Sequence, residues 1–134
     1  HLSILLSGNA SEDERKTIDV TMTKLRSFVE ETHVGLILIS HLRRLHNDKG
    51  HEDGGQVSLT HLRGSHSIAQ LSDCVCSLER NLAAGDDTLT VRVLKNRFNG
   101  QTGEAGILQY NKATGRMQQL LGTEVPTPAT YQDF

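Results

Sequence analysis

The segment Gly35–Ile39 constrains the fold of this chain more than any other. Its side chains are apolar on both faces of an extended backbone, which is typical of a strand buried in a parallel sheet. Apolar residues at helical spacing predict an amphipathic helix over 12–31, begun by a capping box at Ser11 and Glu14. The apolar run Leu2–Ser7 predicts a strand before that helix. Strand, helix and strand form a crossover unit, so the sequence predicts an α/β fold with a parallel-strand core.

The rest of the chain predicts a long loop, a short helix and an antiparallel end. These elements are a polar loop over Arg43–Gln56, a helix over Ser65–Leu71, strands over Cys74–Leu78 and Thr88–Leu94, and a hairpin of Ala105–Tyr110 with Arg116–Leu120. Residues after 120 contain both prolines and no core pattern, as in a disordered tail. We therefore expect one domain over 1–120 and an acidic, disordered tail over 121–134.

The composition restricts the classes of partner. Hydrophobic residues make up 36% of the 134, enough for the core of one domain. The formal net charge is -2, so nucleic acid would have to be held by a local basic cluster. No apolar run approaches the ~20 residues that cross a bilayer, which predicts no membrane contact. Cys74 and Cys76 are too close in sequence for a disulfide framework, as suits a reducing cytoplasm.

Two polar groups follow predicted strands, where open α/β sheets bind ligands. His41 follows Gly35–Ile39 and could donate a hydrogen bond to a phosphate, although a strand-end histidine satisfied by the backbone is the commoner case. Lys95 and Arg97 follow Thr88–Leu94 and share one face. An ammonium beside a guanidinium suits a transferring phosphoryl group. The alternative for this pair is a solvated strand end.

Basic residues also gather around the long loop. They are Arg43, Arg44 and Lys49, followed by Arg63, Gly64 and Ser65 at the start of the short predicted helix. A basic loop next to a helix N-terminus suits a phosphodiester backbone. Glu52 and Asp53 offset part of this positive charge. The alternative to a DNA-binding loop is therefore a charged surface loop without a ligand.

The histidines and cysteines are candidate ligands for a metal site. His41, His46, His51, His61 and His66 are spaced by five or ten residues. Zinc sites use tighter ligand pairs, with both halves of the site present. The two cysteines fall on one face of a predicted core strand, where a free cysteine behaves as a small hydrophobe. We therefore expect no metal site.

Several motifs together carry a resemblance to a known family. They are Leu36–Leu42, Val57–Ser65, Gln70–Asp73, Leu78–Asn81 and Leu94–Gly103. In this order and spacing they resemble the C-terminal helicase motifs of the bacteriophage primase–helicases (the gene-4 proteins of podoviruses). These are DnaB-like hexameric helicases that are also similar to the mitochondrial replicative helicase. The resemblance covers about residues 1–120, and Lys-x-Arg-Phe-x-Gly-x-Thr-Gly from Lys95 is its most specific element.

The resemblance implies the fold and activity of a longer protein. The fold would be a RecA-like (P-loop NTPase) domain, whose N-terminal half is missing here and whose parallel-strand core continues into an antiparallel C-terminal hairpin. The activity would be that of an NTP-hydrolysing replicative helicase, a ring-shaped homo-hexamer that translocates 5′-to-3′ on single-stranded DNA. The cofactor would be ATP or dTTP with Mg²⁺, whose protein ligands lie upstream. The place of action would be the cytoplasm of the infected bacterial host.

Family roles carry over to residues that match the motifs. His41 matches the histidine that senses the γ-phosphate, Arg97 the arginine finger that acts on the neighbouring subunit's nucleotide, and Lys95 its companion. These are the catalytic candidates. Arg80 and Tyr110 match residues that sandwich the base and, with His41 and Arg97, form the nucleotide-binding set. The DNA-binding candidates are Arg43, Arg44, Lys49, Arg63, Gly64, Ser65 and Gln70.

The chain also departs from the family. The family's DNA loop is rich in lysine, whereas residues 43–51 are not, so loop roles are assigned by position. The chain has no G-x-x-x-x-G-K-[ST] phosphate loop, Walker B carboxylate or catalytic glutamate, and it opens at His1 inside an apolar run. We therefore expect an inactive fragment. The tail, ending in Phe134, resembles one that docks on the phage DNA polymerase.

Two other classes stay open from the residues alone. One is a RecA-like recombinase or signalling ATPase, which an upstream phosphate loop without a helicase linker or primase would favour. The other is a non-enzymatic DNA- or metal-binding module that uses the histidine-rich loop, which bound zinc would favour.

Overall fold

The computed structural model describes residues 1–6, 13–43, 50–64, 66–85 and 87–120. These residues form helices and an antiparallel sheet. The elements are α1 (Leu2–Leu6), α2 (Glu14–Thr32), a 3₁₀ turn (Leu59–His61), α3 (Ser67–Leu71), β1 (Cys74–Glu79), β2 (Thr88–Asn96), β3 (Gly103–Asn111) and β4 (Arg116–Gln119). None of the described helices is long and apolar enough to cross a membrane.

The long helix predicted from sequence is confirmed as α2. Its N-cap is Asp13, whose carboxylate accepts a hydrogen bond from the Lys16 backbone N–H at 3.2 Å. This carboxylate satisfies a donor that has no partner inside the helix. The helix ends at His33, which adopts a left-handed conformation with φ 56°. The predicted cap residue, Ser11, lies outside the described residues.

One face of α2 supplies the core. Ile18 and Met22 are buried there against Leu2 of α1 and Ile68 of α3, with Leu6, Leu25, Leu38, Leu62 and Leu71 packed around them. Ile18 is 1% exposed. The two short helices are therefore held against α2 by apolar contact, which anchors the start of the chain and the segment before β1.

The strands form a sheet of order β1-β2-β3-β4 in which each neighbouring pair is antiparallel. The strand predictions for this half of the chain are confirmed, including the terminal hairpin of β3 and β4. At its turn the Asn111 carboxamide oxygen accepts from the N–H groups of Ala113 and Thr114 at 3.0 and 3.1 Å. Gly115 follows with φ 68°, which favours glycine.

The predicted parallel-strand core is wrong for the described residues. Leu2–Leu6 is a helix, not a strand, because a short apolar run fits a buried helix as well as a strand. Gly35–Ile39 is extended but forms no strand, and Ile37 is 94% exposed. A strand of this kind needs neighbours on both edges, and strand formation depends on such context. Here the Ile39 carbonyl accepts only from the Leu2 N–H, at 2.9 Å, in the described contacts.

The expectation that Cys74 and Cys76 lie in a core strand is also wrong. β1 pairs with β2 alone in the described sheet, and both cysteines are exposed, while Ser77 is buried. The pairing of β1 with β2 shifts between Val75 and Cys76. The strand was predicted correctly, but the face that it turns to solvent was not.

Candidate functional site

His41 lies beside a small cavity. Its ring packs against that of His1, with centroids 4.2 Å apart. The cavity has a volume of about 80 Å³, and its polar lining includes Ser40, His41 and Arg63. Arg63 also lies 3.6 Å from the Glu14 carboxylate through its guanidinium. A hydroxyl, an imidazole and a guanidinium therefore meet in one place, together with the Glu14 carboxylate, which also lines the cavity. An anionic oxygen bound here would take the place of that carboxylate beside Arg63.

A backbone bridge joins the His41 segment to a second basic segment. Leu42 and Leu62 pair as an isolated antiparallel bridge. The Arg63 N–H donates to the His41 carbonyl at 3.1 Å, and the Arg43 N–H donates to the His61 carbonyl at 2.8 Å. The structure thus brings the predicted phosphate sensor together with two predicted DNA contacts, Arg43 and Arg63. The two segments are therefore joined by main-chain hydrogen bonds.

Gly64 follows this bridge in a conformation that favours glycine. Its φ is 104°, and a Cβ built at this position would collide with Cδ1 of Ile18. Gly64 was predicted to face DNA. Its conformation and packing give it a structural requirement that holds whether or not DNA is bound.

Arg97 is paired with Asp73. Its backbone N–H donates to the Asp73 carbonyl at 2.8 Å, and its guanidinium lies 3.2 Å from the carboxylate. Arg26 of α2 binds the other oxygen of the same carboxylate at 2.7 Å and also pairs with Glu30. The hydrogen bond from Arg26, more than that from Arg97, holds the pKa of Asp73 below its usual value. The sequence placed Asp73 at the end of a family motif without a role, and in the structure it is the residue that orients Arg97.

The Lys95 ammonium is hydrogen-bonded to the end of α3. Its ammonium donates to the carbonyls of Ala69, Gln70 and Ser72 at 2.6, 3.2 and 2.8 Å. A cation at a helix C-terminus satisfies carbonyls that have no partner within the helix. Lys95 and Arg97 therefore both face the segment 69–73, as their shared face predicted, and in this conformation both are bound to protein groups.

The two predicted base-binding residues both contact Asp87, Arg80 through its side chain and Tyr110 through its backbone. The Arg80 guanidinium lies 3.4 Å from one oxygen of its carboxylate, and Lys112 lies 2.7 Å from the other. The Tyr110 N–H donates to the Asp87 carbonyl at 2.9 Å. The structure thus places Arg80 and Tyr110 around one residue, which the sequence pattern did not single out.

The predicted residues form separate groups. One surrounds His41, another Asp73 and a third Asp87. The first two are joined by α2, since Ile18 lines the cavity and Arg26 binds Asp73; eight residues of helix correspond to about 12 Å. Gln70 is exposed on α3. Arg44, Lys49 and Ser65 lie outside the described residues, as does the tail over 121–134.

Two of the histidines, His51 and His61, lie close together in the structure, which their spacing in the sequence did not predict. The rings of His51 and His61 lie 5.0 Å apart, and His61 Nδ1 accepts from the Ser58 N–H at 3.2 Å. Burial lowers the pKa of His61, and the charges of His51 and Arg43 lower it further. Among the described residues, no three His, Cys, Asp or Glu side chains are grouped to hold a metal.

Comparison with known proteins supports the resemblance found in the sequence. No protein-family model matches the chain. It is 48% identical over 120 residues to a DNA helicase/primase of Enterobacteria phage T3. The resemblance to the phage primase–helicases is confirmed. The match covers 88% of this chain but 21% of the relative, so the chain spans about a fifth of the length of that protein.

Proposed function

We propose that the chain forms part of the motor of a phage replicative helicase. The motor would be an NTP-hydrolysing, RecA-like ring hexamer that moves 5′-to-3′ on single-stranded DNA in the host cytoplasm. The observation that carries this proposal is the backbone bridge between His41 and Arg63. It connects a candidate phosphate contact to candidate DNA contacts, as nucleotide-driven translocation requires. The name of the phage T3 relative favours a helicase over the recombinase and binding-module alternatives.

The described residues suit part of a nucleotide. The cavity at His41, of about 80 Å³, is much smaller than the ~300–1,000 Å³ typical of complete ligand sites. Its donors would hold one phosphate group of ATP or dTTP. Mg²⁺, which neutralises phosphate charge when bound, would be held outside this chain, because the phosphate-loop motif does not occur in it. The 134 residues alone should therefore not hydrolyse NTP.

His41 would report the state of that phosphate to the DNA contacts. When its imidazole donates to a phosphate oxygen, the backbone of residues 41–43 is held in place. The bonds between Arg63 N–H and His41 carbonyl and between Arg43 N–H and His61 carbonyl then fix both arginines. Loss of the phosphate would release this restraint, so affinity for DNA would follow the nucleotide.

Arg97 would act on the neighbouring subunit's nucleotide. To do so, its guanidinium must exchange the Asp73 carboxylate for a phosphate. The Arg97 side chain is 59% exposed, and exposed ion pairs contribute only ~0.2–1 kcal/mol. The exchange is therefore energetically easy.

Two further roles follow from the resemblance. Arg80 and Tyr110 would hold the base of the nucleotide. The tail over 121–134 would bind the phage DNA polymerase.

A chimera tests the proposal. The matching segment of the phage T3 helicase/primase is replaced with this chain, and DNA unwinding is measured. We expect the chimera to unwind DNA, and its His41→Ala variant to bind DNA equally well with NTP and NDP. His33→Asn is the matched control, because it removes an exposed histidine at the end of α2. A folded hexameric chimera without unwinding activity would refute the proposal.

The trans role of Arg97 has its own test. Chimeric Arg97→Ala subunits are mixed with unmodified subunits, and DNA-stimulated hydrolysis is followed against the mixing ratio. An arginine that acts across the interface should lower the rate more than in proportion to the mutant fraction. A strictly proportional decrease would contradict action between subunits.

A further inference from the structure

The Asp73 carboxylate contacts arginines from two different parts of the fold. Its Oδ1 lies 3.2 Å from the guanidinium of Arg97, which follows β2, and its Oδ2 lies 2.7 Å from the guanidinium of Arg26 on α2. Arg26 is itself held by Glu30, whose carboxylate lies 2.7 Å from Arg26 Nε. These contacts join side chains of one chain to each other, so none of them depends on a surface that is open to solvent.

The main chain fixes the position of Asp73. Lys95 Nζ donates to the carbonyl of the preceding residue, Ser72, at 2.8 Å. The Arg97 N–H donates to the carbonyl of Asp73 itself, also at 2.8 Å. Neither bond uses the Asp73 side chain. The main chain therefore keeps the carboxylate in place when the Arg97 side chain leaves, and the substitution Asp73→Asn retains both bonds.

The two arginines hold this carboxylate unequally. The Arg26 contact is the shorter of the two, at 2.7 against 3.2 Å. The hydrogen bond from Arg26 also contributes more than that from Arg97 to the lowered pKa of Asp73. Arg97 is therefore the partner that leaves more readily, and the carboxylate then still has Arg26.

Removal of Arg26 would reverse this balance. A carboxylate can accept two nitrogens of one guanidinium in a bidentate pair, which is stronger than a single contact. With Oδ2 no longer bound by Arg26, Arg97 could bind both oxygens. Its departure would then also leave the carboxylate without an arginine, which costs free energy. Both effects would retain Arg97 at Asp73.

We propose that Arg26 is a positioning residue for Arg97, which keeps the Arg97 guanidinium exchangeable between Asp73 and the neighbouring subunit's phosphate. Because Arg26 holds Oδ2, Arg97 has a single contact to give up and leaves no unpaired carboxylate behind. No covalent bond forms or breaks in this exchange. The inference rests on the proposed role of Arg97 in hydrolysis.

Steady-state hydrolysis of ATP and of dTTP by the chimera with the phage T3 helicase/primase tests this role. Arg26→Gln should lower the DNA-stimulated kcat about two- to fivefold, the range over which one exposed ion pair shifts an equilibrium. The KM should stay unchanged, because an arginine finger acts on the transition state. Lys24→Gln is the matched control, since it removes an exposed charge from the same helix, and it should keep the full kcat.

A second substitution separates positioning from damage to the fold. Asp73→Asn removes the competing charge, so Arg26→Gln combined with Asp73→Asn should have a higher kcat than Arg26→Gln alone. Damage to the fold would instead accumulate in the double variant. Arg26→Lys keeps a charge beside Asp73 but loses the planar fork. Its smaller loss should also be relieved by Asp73→Asn, and it provides the same test where Arg26→Gln does not assemble.

Failure of this proposal is distinguishable from failure of the proposed function. Arg97→Ala in the same chimera should abolish DNA-stimulated hydrolysis, and if it does not, the role of Arg97 is wrong and this proposal with it. If Arg97→Ala abolishes hydrolysis while Arg26→Gln keeps the full kcat, Arg26 does not position Arg97. A double variant no more active than Arg26→Gln, or a loss confined to KM, would also overturn the proposal.

Discussion

Gly64 is the residue whose replacement should damage the fold most directly. A side chain there meets both an unfavourable φ of 104° and the buried Ile18. We expect Gly64→Ala to lower the free energy of unfolding by about 1–3 kcal/mol, measured by urea denaturation. Gly85→Ala is the matched control, because Gly85 also has a positive φ, of 68°, but nothing within 4 Å of the added Cβ. Equal losses in both variants would show that contact with Ile18 contributes nothing.

His61 should make the stability of the chain depend on pH. Burial, followed by the charges of His51 and Arg43, lowers its pKa from 6.5. Protonation would also remove the acceptor of the Ser58 N–H. The unfolded chain therefore takes up the proton first, so this contribution is complete above the ordinary pKa and is lost as pH falls toward the folded value. Stability should therefore decrease as the pH falls below about 6.5.

The variant His61→Gln isolates this effect. Thermal melts across that pH range should show a smaller decrease in melting temperature for His61→Gln than for the unmodified chain. His33→Asn, which removes an exposed imidazole at the end of α2, should keep the full decrease. If His61→Gln and the unmodified chain lose stability in parallel, another group is responsible.

At the scale of elements, Asp73 ties the long helix to the end of β2. The Arg26–Asp73 contact is shorter than the Arg97–Asp73 contact, at 2.7 against 3.2 Å, and the Arg26 side chain is less exposed, at 28% against 59%. Double-mutant cycles with Asp73→Asn, Arg26→Gln and Arg97→Gln should therefore give the larger coupling energy to the Arg26 pair. A larger coupling for Arg97 would mean that it is the firmly held arginine, which would make its release for catalysis harder.

The elements also show what the sequence could predict. α2 and the hairpin of β3 and β4 follow from periodicity and turn residues within the element itself, and both are confirmed. The strand expected at Gly35–Ile39 depended on neighbours that the described residues do not supply. The same limit applies to the candidate site. The motifs assigned roles to His41, Arg97 and Arg80. That Asp73 pairs with Arg97 and Asp87 with Arg80 became visible only in the structure.

At the scale of the whole molecule, a stretch of apolar side chains is left uncovered. Val34, Leu36, Ile37 and Ile39 are exposed in the extended segment after α2. Contiguous apolar surface of this kind promotes association in water. The chain spans 21% of its phage T3 relative, and by itself it presents this segment to solvent. We therefore expect the isolated chain to self-associate as its concentration rises.

A charge placed in this segment should suppress the association without loss of stability. Ile37 is 94% exposed, so Ile37→Lys removes apolar surface but almost no packing. Sedimentation should show less self-association, and binding of a hydrophobic dye should fall, while the melting temperature stays unchanged. Phe98→Lys is the control, because Phe98 is 71% exposed but lies in the turn after β2. If both variants reduce association equally, total apolar exposure and not this segment causes it. If Ile37→Lys lowers the melting temperature, Ile37 packs against the folded chain and the segment is not free.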